Sequence, residues 1–113
     1  MDMQTLQALR RDAEDICRSA IAASVPDAAV RRALAQLPPC AGQTVLISIG
    51  KAGWQTAKAA YDALGSAIQR GVVVTKYGHS QGAIGSFAIY EAGHPVPDEN
   101  SVRATEAALE AVR

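Results

Sequence analysis

The sequence predicts an α/β fold, a three-layer Rossmann-like parallel sheet flanked by helices, and three observations lead there. Short apolar runs at Thr44–Ile49, Val72–Thr75 and Phe87–Glu91 have the length and β-branched content of strands. The second run, Val72-Val73-Val74-Thr75, does not alternate with polar residues, which suits a parallel strand buried on both faces. Between the first two runs, Trp54, Ala57, Ala60, Tyr61 and Leu64 recur at helical spacing, so the chain reads strand, helix, strand with a right-handed crossover.

From Met3 to about Ala23 the apolar residues Met3, Leu6, Leu9, Ala13, Ile16, Cys17, Ala20 and Ile21 fall three or four apart. Arg10, Arg11, Asp12, Asp15 and Arg18 lie between them, so an amphipathic helix with one buried face is expected, its charges forming a solvated face. Ser24-Val25-Pro26-Asp27 breaks that pattern, and Asp27 can cap a second helix through Val30, Leu34 and Leu37 that Pro38-Pro39 ends. Both helices precede any strand and are expected to cover the sheet or one of its edges. After the first strand, Gly50 stops the run and Gly65 is the expected C-cap of the following helix. A short segment through Ile68 and Arg70 leads to the second strand, and a loop from Ser80 to Ser86 leads to the third. Pro95 and Pro97 fix an extended approach to a closing helix that Asp98, Asn100 or Ser101 can cap and that carries Val102, Leu109 and Val112 on one side.

At 113 residues and 49% hydrophobic content, one domain over residues 1–113 with its own core is expected. Lys plus Arg equals Asp plus Glu at 11 each, so no overall field steers the protein to nucleic acid or an anionic membrane. An aromatic content of 4% argues against stacking platforms for single-stranded nucleic acid. No apolar run approaches the roughly 20 residues of a membrane span, so a soluble protein is expected. Cys17 and Cys40 form no CxxC pair and follow no secretory signal, which reads as two free thiols in a reducing cytoplasm. His79 and His94 fall in no ligand spacing that suggests zinc, so no metal site is expected from these residues alone.

The chemistry concentrates at Ile49-Gly50-Lys51-Ala52-Gly53, where a strand delivers a cation to a helix entrance. The first N–H groups of a helix lack internal partners and sit at the positive end of its dipole, so anions collect there. Gly50 and Gly53 would let the backbone approach a ligand, and Lys51 adds a compact full charge. A Gly-Lys turn after a strand is also common without any ligand, and the spacing is not that of a Walker A loop. Lys76-Tyr77-Gly78-His79 falls at the carboxyl end of the second strand, the end at which open α/β sheets bind ligands. Lys76 is either a second cation for the site or an exposed edge lysine. His94 either contacts substrate or anchors the proline-rich turn by hydrogen bonding.

Three stretches taken in order, Ile49-Gly50-Lys51-Ala52, Gly71-Val72-Val73-Val74-Thr75-Lys76-Tyr77-Gly78-His79 and Glu91-Ala92-Gly93-His94-Pro95-Val96-Pro97-Asp98-Glu99-Asn100-Ser101, resemble the amino-terminal region of the glycerate 2-kinase family. Members are often labelled hydroxypyruvate reductases as well. The resemblance implies two α/β domains with the active site between them, and transfer of the ATP γ-phosphoryl group to the 2-hydroxyl of glycerate, with magnesium accompanying the nucleotide. It implies that Lys51 is the catalytic lysine, and that the Gly-His-Pro-x-Pro-Asp-x-Asn-Ser stretch from Gly93 lies near the cleft. Gly50, Ala52, Gly53, Lys76 and His94 are the accompanying substrate-binding candidates. Family chains are several times longer, so the resemblance marks this chain as an incomplete portion of a larger enzyme, with the carboxyl-terminal domain absent. Such a segment is expected to be inactive alone and to expose an apolar surface that could drive self-association.

Two other functions are consistent with the residues. A nicotinamide-dependent hydroxypyruvate reductase would need Gly-x-Gly-x-x-Gly after the first strand and an acid after the second. Gly50-Lys51-Ala52-Gly53 and Lys76 disfavour NAD, although a lysine there suits the 2′-phosphate of NADP. The remaining alternative is a non-catalytic domain that binds an anion.

Overall fold

A computed structural model describes residues 1–113 as α1 (Met3–Ser24), α2 (Asp27–Leu34), β1 (Thr44–Ile49), α3 (Gly53–Leu64), β2 (Ile68–Lys76), β3 (Ala88–Ala92) and α4 (Glu99–Ala111). A single 3₁₀ turn at Gly65–Ala67 joins α3 to β2. The strands form one parallel sheet in the order β1-β2-β3. Ser48 pairs with Val73 and Val73 with Ile89, so these residues share one face; Ile49, Val74 and Tyr90 share the other.

The Ser48 face lies under α3. Trp54 and Ala57 of α3 pack with Val73 and Ile84 into the central cluster, and Leu46, Tyr61, Phe87 and Ile89 close around it. Small residues let this helix lie close: Ala57, Ala59 and Ala60 are all buried. At Gly53 a Cβ would stand 2.9 Å from the Val74 carbonyl oxygen, so only glycine allows the helix to start this near the sheet. The helix ends at Gly65, whose φ of +51° breaks the ladder while its N–H donates to the Tyr61 carbonyl. Ser48, a polar residue inside a strand, is satisfied: its hydroxyl donates to the Gly53 carbonyl at 2.8 Å and meets Thr56 Oγ1 at 2.6 Å.

All three layers are present in these residues, because α4 lies on the opposite face. Its buried residues are Ala104 and Ala108, and it packs on β2 and β3. Val72 and Val73, with relative exposures of 4% and 0%, confirm a central strand covered on both sides. β2 begins at Ile68, earlier than the apolar run, because Ile68 pairs with Thr44 and the Gln69 side chain accepts the Thr44 N–H. Gly71 then passes beneath the Phe87 ring, which meets Tyr61 edge to face at 5.4 Å.

The two amino-terminal helices depart from expectation. α1 forms over the expected residues, yet none of its side chains is buried, and Leu6, Leu9, Ile16 and Ile21 are exposed. Apolar periodicity specifies a helix with a stripe; it does not supply the surface that covers the stripe. α2 packs on α3 rather than on the sheet. Asp27 does not cap it: the N-cap is Pro26, and the Asp27 carboxylate instead accepts two hydrogen bonds from Gln55 Nε2 of α3. Leu37 lies beyond the helix end. Cys17 and Cys40 are free and exposed, and no helix is long and apolar enough to cross a membrane.

Candidate functional site

A recess of about 190 Å³ opens where the carboxyl ends of β1 and β2 meet the first turns of α4. Gly50, Lys51, Lys76 and His94 line it, together with the hydroxyl-bearing Thr75 and Ser101. Of the remaining residues expected at the site, Ala52 and Gly53 lie outside this lining. The room left by the missing Cβ of Gly53 is taken by the chain's own β2, as the Val74 contact shows, so that glycine serves packing.

The Gly50-Lys51 turn is built by backbone bonds. Gly50, at φ +133°, donates its N–H to the Val74 carbonyl at 2.9 Å and accepts from the Gly53 N–H at 2.9 Å. The Lys51 carbonyl accepts from Thr75 Oγ1 at 3.3 Å and from His79 Nδ1 at 3.2 Å. The backbone of Lys51 is thus held from two sides while its ammonium makes no ion pair; the two salt bridges of the chain are Lys58–Asp62 and Arg113–Glu110. Lys76 is likewise unpaired. No acidic residue lines the recess itself, and Lys51 and Lys76 are the two cations that do, while the Asp98 carboxylate is bonded to Ser101 of its wall. Being smaller than the roughly 300–1,000 Å³ of drug-sized sites, it suits a small acid or a phosphoryl group.

The far wall is fixed by a cluster that sequence reading reduced to caps. Asp98 is the N-cap of α4 and forms a full capping box with Ser101. Tyr77, one residue past β2, donates its hydroxyl to Asp98 Oδ2 at 2.6 Å and accepts from Asn100 Nδ2 at 2.8 Å. The tyrosine therefore ties the end of β2, and Lys76 with it, to the loop that carries His94. At Gly93 a Cβ would stand 2.4 Å from the Val96 carbonyl oxygen, so the turn from Gly93 closes on itself. His79, which falls in no ligand spacing in the sequence, is brought by the fold onto the Lys51 carbonyl.

The Tyr77 hydroxyl, followed by the Gly93 and Ser101 N–H groups, holds the Asp98 carboxyl down to about 2 from its ordinary 3.8. The same bond raises the Tyr77 phenol, since ionising it would remove the donated proton and set two negative charges together. A depressed carboxyl contributes stability that is present above its unfolded value near 4 and is lost as pH falls through about 2. Asp98→Ala accordingly lowers the melting temperature at pH 7, and the gap from the wild type narrows between pH 4 and pH 2. Thermal melts across that range check this; a gap independent of pH would assign the loss to packing.

A family model described as a domain of unknown function, DUF4147, matches residues 12–113. D-glycerate 2-kinase of Thermotoga maritima is 50% identical over 106 residues, which is 94% of this chain and 25% of that protein. A protein of Agrobacterium vitis provisionally named hydroxypyruvate reductase is 39% identical over 112 residues, 99% of this chain and 24% of its own. The crystal structure of the Thermotoga maritima glycerate kinase superposes with a TM-score of 0.76 over 92% of this chain and 25% of that one. A structure from Pyrococcus horikoshii, 30% identical, superposes with a TM-score of 0.67 over 90% of this chain and 25% of its own. The chain spans about a quarter of the length of the relatives it matches.

Proposed function

This chain belongs to the DUF4147 family, and on that premise we propose that it is the amino-terminal segment of an ATP-dependent glycerate 2-kinase. The enzyme would transfer the γ-phosphoryl group of ATP to the 2-hydroxyl of glycerate. The observation that carries this reading is the acid-free recess with Lys51 and Lys76 at adjacent strand ends, in a segment half identical to a D-glycerate 2-kinase. Phosphoryl transfer demands positioning and charge stabilisation more than covalent participation by the protein. Lys51 supplies a charge on a turn whose backbone is already immobilised, so little reorganisation is needed when oxygen anions arrive. Lys76 binds a second anionic group of the same ligand pair, and His94 contacts the substrate from the opposite wall. The reading leaves the metal to the nucleotide.

The test uses the protein that carries this chain at its native length, supplied with ATP, magnesium and D-glycerate and followed by phosphorus NMR. Formation of 2-phosphoglycerate and ADP is expected. Hydroxypyruvate-dependent oxidation of NADPH without phosphotransfer would overturn the kinase reading in favour of the reductase.

A further inference from the structure

We infer that His79 is a positioning residue for the two cations of the recess, holding the turn that carries Lys51 at a fixed offset from the strand end that carries Lys76. This builds on the reading of Lys51 as the catalytic cation and adds the residue that keeps it in place. The main chain of His79 makes one contact and its ring makes the other. Its N–H donates to the Lys76 carbonyl at 3.0 Å, closing a β-turn over Lys76-Tyr77-Gly78-His79. Gly78 takes φ +77° at the third position of that turn, a conformation that favours glycine. The turn folds the chain back toward β1, and ring Nδ1 meets the Lys51 carbonyl at 3.2 Å.

A carbonyl oxygen only accepts, so the proton of this bond sits on Nδ1. The neutral Nδ1–H tautomer and the imidazolium both supply it, and the contact survives either charge state. Thr75, 3% exposed, donates its hydroxyl to the same oxygen at 3.3 Å, which gives a buried hydroxyl its partner. The carbonyl of one lysine is thus gripped by residues on both sides of the other, Thr75 just before Lys76 and His79 just past the turn. The sheet does not make this link by itself. Its register pairs β1 with β2 as far as Ile49 with Val74, and Lys51 lies beyond that point. There the side-chain grip takes over from the backbone ladder.

The ring acts from outside the recess. His79 is absent from the recess lining and lies instead with Ser24, Val25 and Gln55 in a groove beside the junction of α1 and α2. It therefore acts on the ligand through Lys51, by way of that residue's carbonyl. Two ammonium groups that meet the oxygens of one ligand pair are useful only at a set spacing. A displacement of about 1 Å in such a constellation can cost on the order of 10²-fold in rate. His79 is exposed, so replacing it removes no core packing and leaves the loss of the grip as the main effect.

Turnover of the native-length protein with ATP and D-glycerate tests this in His79→Ala and His79→Asn, each alone and combined with Lys51→Met. His79→Ala lowers kcat by about 10-fold or more, with KM for glycerate changed by less than about 3-fold. His79→Asn, whose side-chain N–H stands in for the Nδ1 donor, keeps kcat within about 3-fold and leaves the pH profile superposed on that of the wild type. In the Lys51→Met background His79→Ala costs no more than about 2-fold further, because the group it positions is already gone. Full additivity in the double variant would give His79 a role of its own and overturn the proposal. An asparagine variant that stays slow, or that loses one limb of the pH profile, would make the ring an acid or base and overturn it too. Absence of 2-phosphoglycerate in every preparation would count against the kinase reading alone. The grip is then read by NMR from the Lys51 carbonyl carbon, which moves upfield in His79→Ala and returns in His79→Asn; an unmoved resonance would overturn the positioning role.

Discussion

Lys51→Met lowers kcat by about 10²–10³-fold in the protein that carries this chain, with the fold intact. The magnitude is that of removing one preorganised donor aimed at developing charge. The separation of activity from stability follows from how Lys51 is held. Its structural contacts, to Thr75 and His79, are made by its carbonyl, which methionine retains. Its side chain is exposed and enters no salt bridge, so the substitution changes stability by no more than about 0.5 kcal/mol. Turnover with ATP and glycerate, measured beside a thermal melt, checks both halves. A kcat within a few-fold of wild type would remove Lys51 from the chemistry, and a large fall in melting temperature would show that the turn needs the side chain.

Trp54→Ala destabilises the domain by about 3–5 kcal/mol, a large part of the roughly 5–15 kcal/mol that holds such a domain together. Trp54 is 8% exposed and belongs to one core cluster with Ala57, Val73 and Ile84, so alanine leaves a cavity between α3 and the sheet. It also strands a hydrogen bond, because the indole Nε1–H donates to the Gly82 carbonyl at 2.8 Å. Trp54→Phe separates the two contributions: it keeps most of the apolar volume and loses the donor, for about 1–3 kcal/mol. Urea denaturation followed by far-UV circular dichroism measures both variants; fluorescence cannot serve, since Trp54 is the only tryptophan. A loss below about 1 kcal/mol in Trp54→Ala would mean that the loop from Tyr77 to Phe87 collapses into the vacated space.

What the sequence reveals about this molecule divides along local and long-range lines. β1 and α3 were legible because a β-branched run, a glycine stop and a helical repeat are all local signals. The C-cap at Gly65 and the cap at Asp98 were legible for the same reason. Burial was not. α1 and the Val102–Leu109–Val112 stripe have the periodicity of packed helices, yet α1 is bare and α4 buries its alanines. Periodicity reports which residues share a side of a helix, and the neighbour decides which side is inward. At the site, Gly50, Lys51 and Lys76 stood out because strand ends can be located in a sequence. The Tyr77–Asp98–Asn100 cluster and the His79–Lys51 bond could not, since they join residues 21 to 28 positions apart through side-chain geometry. Gly53 shows a subtler miss, where a glycine expected to make room for a ligand makes room for β2.

The all-parallel pairing also bears on how the chain finds its structure. No hairpin can nucleate this sheet, because Ile49 meets Val74 and Val74 meets Tyr90 only after long stretches of intervening chain have been ordered. Loop closure must therefore come before the contacts that reward it, which slows the search relative to antiparallel sheets. α3 shortens the first search. Its 12 residues span about 18 Å, close to the roughly 20 Å of the six residues of β1, so once helical it returns the chain to the start of the next strand. The link from β2 to β3 has no helix to do the same, and Trp54, which anchors it through Gly82, lies in the first turn of α3. The element that sets the first crossover therefore also anchors the second.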